Sequence, residues 1–273
     1  MGIAMPEGNV IHHQARRLRR SFARRQVEVD SPQGRFAEGA TLVDGRTLQD
    51  AQAYGKHLLL AFDDDRWVHV HLGLFGKWRI GKGDLPDPSG QIRMRLRNDA
   101  YFAELRGPTT CEVLDDGGRA ALISRIGPDP IRADADPLRA WNRIQRSRQS
   151  IGALLMDQRV FAGVGNIYRA EVLFRHQVSP FRAGAQVSWS EFDRMWSDLV
   201  DLMTQGTKRG RIDTVRPEHL PEVTGRAARR DRHGGEVYVY RREGQDCYLC
   251  GAGVAMCSMQ GRKLYWCPDC QAS

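Results

Sequence analysis

Lysine is scarce in this chain. Of the 41 basic residues among 273, five are lysine, so the formal net charge of +8 rests on arginine. No run approaches the roughly 20 apolar residues that a membrane-spanning helix needs, and Met1 to Arg20 lacks the apolar core of a secretory signal, so a cytoplasmic protein with no membrane association is expected. Cysteine is nearly absent from the first 246 residues, where Cys111 stands alone, while Cys247, Cys250, Cys257, Cys267 and Cys270 crowd together near the end. That distribution does not fit a disulfide framework spread through a secreted domain. Charged residues at 27% and hydrophobic ones at 41% are ordinary globular usage, which argues against a disordered or fibrous chain. The positive excess points to a polyanionic partner, nucleic acid ahead of an anionic membrane surface, although a GC-rich coding bias would also favour arginine.

The length allows one large or two modest domains. The first 125 residues or so read as mainly β. His57 to Phe62 is apolar, Asp63 to Asp65 is a polar turn, and Arg66 to Leu72 alternates with Val68, Val70 and Leu72 on one face, which predicts a hairpin. In Gln91 to Arg97, Ile92, Met94 and Leu96 face one way and three arginines the other. Tyr101 to Leu105 and Cys111 to Leu114 are further strands, giving a sandwich or barrel, preceded by a basic helix over Val10 to Ala23. Gly127 to Asp136 reads as a linker. Asp136 and Pro137 then start a helix carrying Leu138, Trp141 and Ile144. A second helix runs from Ser188 to about Thr204, with Ser188 and Glu191 as a capping box and Trp189, Phe192, Trp196, Leu199 and Met203 as core. Gly206 to Gly235 is Arg-rich and aperiodic, a mobile loop.

Cys247-x2-Cys250, then sixteen residues, then Cys267-x2-Cys270 supplies four thiolates as two chelating pairs, the donor set of a closed structural zinc site. Iron–sulfur ligation and free buried thiols are the competing readings. Cys257 and Cys111 have no partner at chelating spacing and read as packing residues. Between the pairs, Gly261-Arg262-Lys263 forms a basic turn that would hold Arg262 toward a phosphate, or else leave it solvated.

Four separated segments together resemble the formamidopyrimidine-DNA glycosylase and endonuclease VIII family, more closely its endonuclease VIII branch. They are Met5-Pro6-Glu7-Gly8, Gly55-Lys56-His57, the run Ala162 to Tyr168 with Arg169 to Arg175 following, and the cysteine element ending Tyr265 to Cys270. The resemblance spans Met5 to Gln271. It implies an α+β multidomain protein: an N-terminal catalytic β-sandwich with a flanking helix over residues 6–125, a linker over 126–136, a helical domain with a helix-two-turns-helix unit over 137–235, and a four-cysteine zinc finger over 236–273. DNA would lie between the two halves.

The same resemblance implies an activity: a bifunctional DNA glycosylase and abasic-site lyase of base excision repair, acting as a monomer on damaged DNA in the cytoplasm, at the nucleoid, with one structural Zn2+. Pro6 would be the chain terminus after methionine removal. Its secondary amine, with a pKa near 8, would attack C1′, expel the base and form a Schiff base that undergoes β- and δ-elimination. Glu7 would move protons during sugar ring opening. Lys56, one of the few lysines, would contact phosphate beside the lesion. Asn166 and the amides of Gly163 to Gly165 would form a phosphate clamp, with Arg262 gripping the flanking phosphates. Flipping the nucleotide leaves a hole, and Leu74 and Phe75, bracketed by Gly73 and Gly76, stand where the family carries its wedge.

Three departures bear on this. The chain starts Met1-Gly2-Ile3-Ala4-Met5, and an amide at Pro6 has no nucleophilic lone pair, so Met5 is expected to be the functional start. Val10 replaces a second glutamate found in many relatives. Asn98 to Pro108 lacks the Pro-Arg-Arg-Phe-Gly-like loop of the formamidopyrimidine branch, which favours oxidised pyrimidines as substrates. The alternatives are a catalytically silent DNA-damage-binding protein with the same architecture and an RNA-associated zinc protein.

Overall fold

A computed structural model describes residues 6–230 and 235–272. The expected start at Met5 and residues 231–234 of the Arg-rich segment lie outside the described residues. The chain divides into two units, meeting at Arg125 and Ile126, and each has its own core.

The N-terminal unit opens with helix α1 (Gly8–Phe22). Ile11, Ala15, Leu18 and Phe22 recur at helical spacing and are buried, and Arg16, Arg19 and Arg20 stay exposed, the pattern of an amphipathic helix laid on a core. Among the described residues two antiparallel sheets follow. The first contains β1 (Arg25–Gln26), β3 (Thr47–Tyr54), β4 (His57–Phe62), β5 (Trp67–His71) and β9 (Thr110–Leu114), in that spatial order. The second runs β2 (Glu28–Asp30), β7 (Ile92–Arg97), β8 (Tyr101–Arg106), β6 (Lys77–Lys82). Two helices, α2 (Ala37–Val43) and α3 (Asp116–Ser124), complete the unit.

The predicted hairpin is present, with Leu58 opposite Val70 and Leu60 opposite Val68. In β7 Ile92, Met94 and Leu96 are buried, while Arg95 and Arg97 turn outward to Asp30 and Glu28 of β2. Among the described residues the chain crosses between sheets four times, from β1 to β2, from β2 to β3, from β5 to β6 and from β8 to β9.

In the second unit Ile126 to Pro130 are buried, so the segment read as a linker begins inside this unit's own fold. Helix α4 (Pro137–Ile144) starts as expected, Asp136 accepting from the Leu138 amide. Its buried residues are Ala140 and Ile144, while Leu138 is exposed. After α5 (Ile151–Leu154) and α6 (Asn166–Arg175), α7 (Trp189–Arg209) is capped by the Ser188–Glu191 box and stops at Gly210, whose φ of 74° suits glycine. Trp189 corrects the expectation of a wholly buried aromatic face: it sits in the first turn, leans edge-on against Trp141 and remains 44% exposed.

The aperiodic segment also starts later than expected, since α7 continues through Gly206 to Arg209, and it carries a short helix α8 (Pro221–Thr224). The chain ends in the hairpin β10 (Ala255–Met259) and β11 (Arg262–Trp266). Its two turn residues, Gln260 and Gly261, both have positive φ, as a type I′ turn requires. No helix among the described residues is long and apolar enough to cross a membrane.

Candidate functional site

Glu7 is the N-cap residue of α1, in extended conformation, its carbonyl accepting from Val10 at 3.0 Å. It is 2% exposed, and a carboxylate there faces the positive end of the helix dipole. Pro6, half-buried, precedes it. Helix α1 lies along β3 and runs opposite to it, because Arg24 N–H donates to the Leu48 carbonyl while Arg19 reaches Asp50 and the Ala51 carbonyl. From Arg19 back to Glu7 is about 18 Å of helix; from Ala51 on to Lys56 is about 17 Å of strand. The helix N-terminus therefore points toward the end of the sheet that holds the β3–β4 turn.

That turn is Gly55-Lys56, with Tyr54 opposite His57 and Gly55 at φ 58°. A positive φ at the first turn position alone is the II′ pattern, which glycine serves best. Lys56 is half-buried. Directly after it, His57 belongs to a group of imidazoles on β4 and β5. Its Nδ1 is 2.9 Å from His69 Nε2, and His69 Nδ1 is 2.9 Å from Glu112 Oε1 on β9. Burial, and then the nearness of His69 and His71, pulls the His57 pKa down to about 3; burial, followed by His69 and Lys56, lowers that of His71 too. The His57 ring is therefore neutral at physiological pH.

Leu74 and Phe75 occupy the crossing from β5 to β6 and are exposed by 42% and 68%. The loop is tight: Gly76 N–H donates to the Leu72 carbonyl at 2.9 Å, and Gly73 sits at φ 63° where a Cβ would lie 1.9 Å from Thr109 Oγ1. Glycines thus hold two large apolar side chains outward instead of letting them fold into the core. The crossing from β8 to β9, Gly107 to Thr109, lies alongside, and Tyr101 to Arg106 before it is sheet.

In the second unit Asn166 is the first residue of α6. Its side-chain amide donates to the Lys263 carbonyl at 2.8 Å, and its carbonyl oxygen accepts from Arg169, which is fully buried and also reaches that carbonyl. Asn166 is therefore joined to the residue beside Arg262, which is exposed on β11. The preceding glycine turn is partly committed internally, as Gly163 N–H donates to Gln158 Oε1.

The sulfurs of Cys247, Cys250, Cys267 and Cys270 lie within 4.8 Å of one another and could hold a metal ion. Cys247 and Cys270 sulfurs are 3.8 Å apart, and those of Cys250 and Cys267 are 3.4 Å apart. Cys257 and Cys111 stand apart from this group, on β10 and β9. Gln271 ties the finger to the helices, accepting from Cys267 N–H and donating to the Val178 carbonyl.

Sequence reasoning missed three supports: the His69–Glu112 pair, Arg169, and Glu171. Glu171 is buried on α6 and accepts from the amides of Tyr238, Val239 and Tyr240 and from the Thr214 hydroxyl. A glutamate and an arginine among the apolar residues of α6 were the available signal, since such groups are rarely buried without a partner.

Residues 5–111 match the formamidopyrimidine-DNA glycosylase N-terminal domain, and residues 126–216 match the formamidopyrimidine-DNA glycosylase H2TH domain. Endonuclease 8 1 of Mycobacterium tuberculosis is 49% identical over 271 residues, covering 98% of this chain and all of the relative. Probable endonuclease 8 2 of Streptomyces coelicolor is 30% identical, with 98% of this chain and 94% of the relative covered. The fold is shared with Lactococcus lactis Fpg in complex with DNA containing an abasic site, at a TM-score of 0.78 and 21% identity over 98% of this chain and 100% of that one. These matches, on two distinct halves, define a base-excision DNA glycosylase of the helix-two-turns-helix type. The chain belongs to the formamidopyrimidine-DNA glycosylase and endonuclease 8 family.

Proposed function

We propose that this protein removes oxidised pyrimidines from DNA and then cleaves the strand at the resulting abasic site. The observation that supports the reading is the buried Glu7 at the N-terminus of α1, directly after Pro6, on a helix that lies antiparallel along the strand leading into the Lys56 turn. With the chain beginning at Pro6, the ring nitrogen is a secondary amine whose lone pair attacks C1′ as the N-glycosidic bond breaks and the base leaves with a proton. Glu7 protonates the ring oxygen as the sugar opens, leaving an iminium between Pro6 and C1′. The iminium draws electrons from the C2′–H bond, so that loss of this proton expels the 3′ phosphate; a second elimination expels the 5′ phosphate, and water releases Pro6.

Lys56, Asn166 and Arg262 contact backbone phosphates, positioning the duplex without reading its bases, and Leu74 and Phe75 fill the gap left by the flipped nucleotide. Cys247, Cys250, Cys267 and Cys270 hold one structural Zn2+. Sulfur separations of 3.4 and 3.8 Å compare with about 3.8 Å for a tetrahedron of 2.3 Å Zn–S bonds. The metal fixes the hairpin that carries Arg262 and takes no part in the chemistry above. The preference for pyrimidines is supported by the short Gly107–Thr109 crossing, which leaves no long loop to probe the orphaned base. Lactococcus lactis Fpg in complex with DNA containing an oxidised pyrimidine shares this fold, which supports the reading.

Single-turnover base release from otherwise identical duplexes carrying dihydrouracil or 8-oxoguanine tests the reading. Faster release of dihydrouracil is expected. Faster release of 8-oxoguanine would overturn the substrate assignment, and binding to both without release of either would favour a silent damage reader.

A further inference from the structure

The outer face of the first sheet gathers polar groups that the reaction above does not use. His57 lies opposite His71, and His69 lies opposite Glu112, so the period-two alternation of strands brings all four to one face while Leu58, Leu60, Val68 and Val70 enter the core behind them. His69 is buried and Glu112 half-exposed. Lys56 and Arg125 are the cations close to His57, and His69 and His71 the neighbouring rings.

An ionised carboxylate can only accept a hydrogen bond, so Glu112 takes the Nδ1 proton of His69. With its Nδ1 proton so held, His69 presents Nε2 to His57 Nδ1 at 2.9 Å, and acceptance of the His57 Nδ1–H there leaves the proton of His57 on Nδ1 and its Nε2 bare. Three adjacent imidazoles could otherwise choose among several tautomers. The chain removes that freedom for His69 and His57, in the manner of a carboxylate orienting a functional histidine.

We propose that Glu112 and His69 are positioning residues for DNA backbone binding: through His57 they lock the start of β4, and with it the turn that presents Lys56. The proposal rests on the reading of Lys56 as a phosphate contact. It gives a role to Glu112, which lies outside every motif that carries the family resemblance, and it accounts for a polar chain that starts beside the Lys56 turn at His57 and runs through the buried His69.

The test compares wild type, Glu112→Gln and Lys56→Ala, each as the full chain. Glutamine keeps the shape but can donate as well as accept, so it removes control of the tautomers. Imidazole 15N shifts should show His57 and His69 protonated at Nδ1 in the wild type, with His57 changed in E112Q. Binding to a duplex with a stable abasic analogue should weaken about tenfold in E112Q, the loss of one charge-assisted hydrogen bond, and the slope of log affinity against log salt should fall by about 0.9, the value of one phosphate contact. The melting temperature should stay unchanged, because Glu112 is half-exposed. Wild-type His57 protonated at Nε2, or E112Q binding like wild type while K56A binds weakly, overturns the proposal alone. K56A binding like wild type overturns the reading of Lys56 and the proposal with it.

Discussion

Glu171 offers the sharpest test of how the helical unit is held together. Its two oxygens accept from the amides of Tyr238 at 2.7 Å, Val239 at 2.9 Å and Tyr240 at 2.9 Å, and from Thr214 Oγ1 at 2.5 Å, and it is fully buried. Glu171→Ala leaves three backbone N–H groups buried without an acceptor. At 1 kcal/mol or more for each, the loss is at least about 3 kcal/mol. For a unit of this size that is a fall of roughly 6 to 12 °C in melting temperature.

Glu171→Gln should do less damage. With its amide toward Thr214, whose hydroxyl can turn and accept, only the Tyr238 N–H opposes a donor, and about 1–3 kcal/mol is lost. Differential scanning calorimetry on both variants reads this directly. An alanine variant melting within 2 °C of wild type, or a glutamine variant less stable than the alanine one, would refute the reasoning.

Asp198 links acid stability to the same unit. Burial would raise its pKa, but hydrogen bonds from His176 and from both arms of Arg175 outweigh that and hold it at about 2. A carboxyl depressed on folding stabilises the native state above its unfolded value near 3.9, and that contribution, on the order of 2 kcal/mol, disappears as pH falls from about 4 to about 2. Urea unfolding of Asp198→Asn should show lower stability at pH 6 and a difference from wild type that closes toward pH 2. Phe75→Ala, at an exposed position, should change stability by no more than about 0.5 kcal/mol while slowing base release from duplex DNA; equal loss on unpaired single strands would remove the wedge role. Chelation of the metal, or Cys270→Ala, should release about one zinc per chain, measured by atomic absorption, and abolish binding to abasic duplex. Full binding by the metal-free protein would contradict a finger that positions Arg262.

Much of this architecture is legible in the chain because its signals are local. The alternation of Val68, Val70 and Leu72, the Ser188–Glu191 box and the paired cysteines each declare an element within a few residues. Strands β3 and β6 escaped notice because Thr47 to Tyr54 and Lys77 to Lys82 mix polar and small residues without a clean period, and pairing with β4 and β8 makes them strands. Trp189 was misplaced for a related reason: hydrophobicity alone does not distinguish the first turn of a helix, which can overhang its neighbours, from the turns that pack. The motif residues Pro6, Glu7, Lys56, Asn166 and Arg262 were readable as candidates through resemblance. Their supports were not, since Glu171 meets amides 67 to 69 residues further on and His69 meets Glu112 only through strand register. Separations of that kind leave no periodic trace.

The central claim is that the Pro6 nitrogen becomes covalently joined to the sugar of the damaged nucleotide. Borohydride reduction in the presence of a 5′-labelled duplex with one abasic site, followed by mass mapping of the trapped peptide, tests it directly. Protein beginning at Pro6 should give an adduct carried by Pro6, and protein retaining Met1 to Met5 should give none. An adduct carried by a lysine, or equal trapping of both forms, would contradict the account.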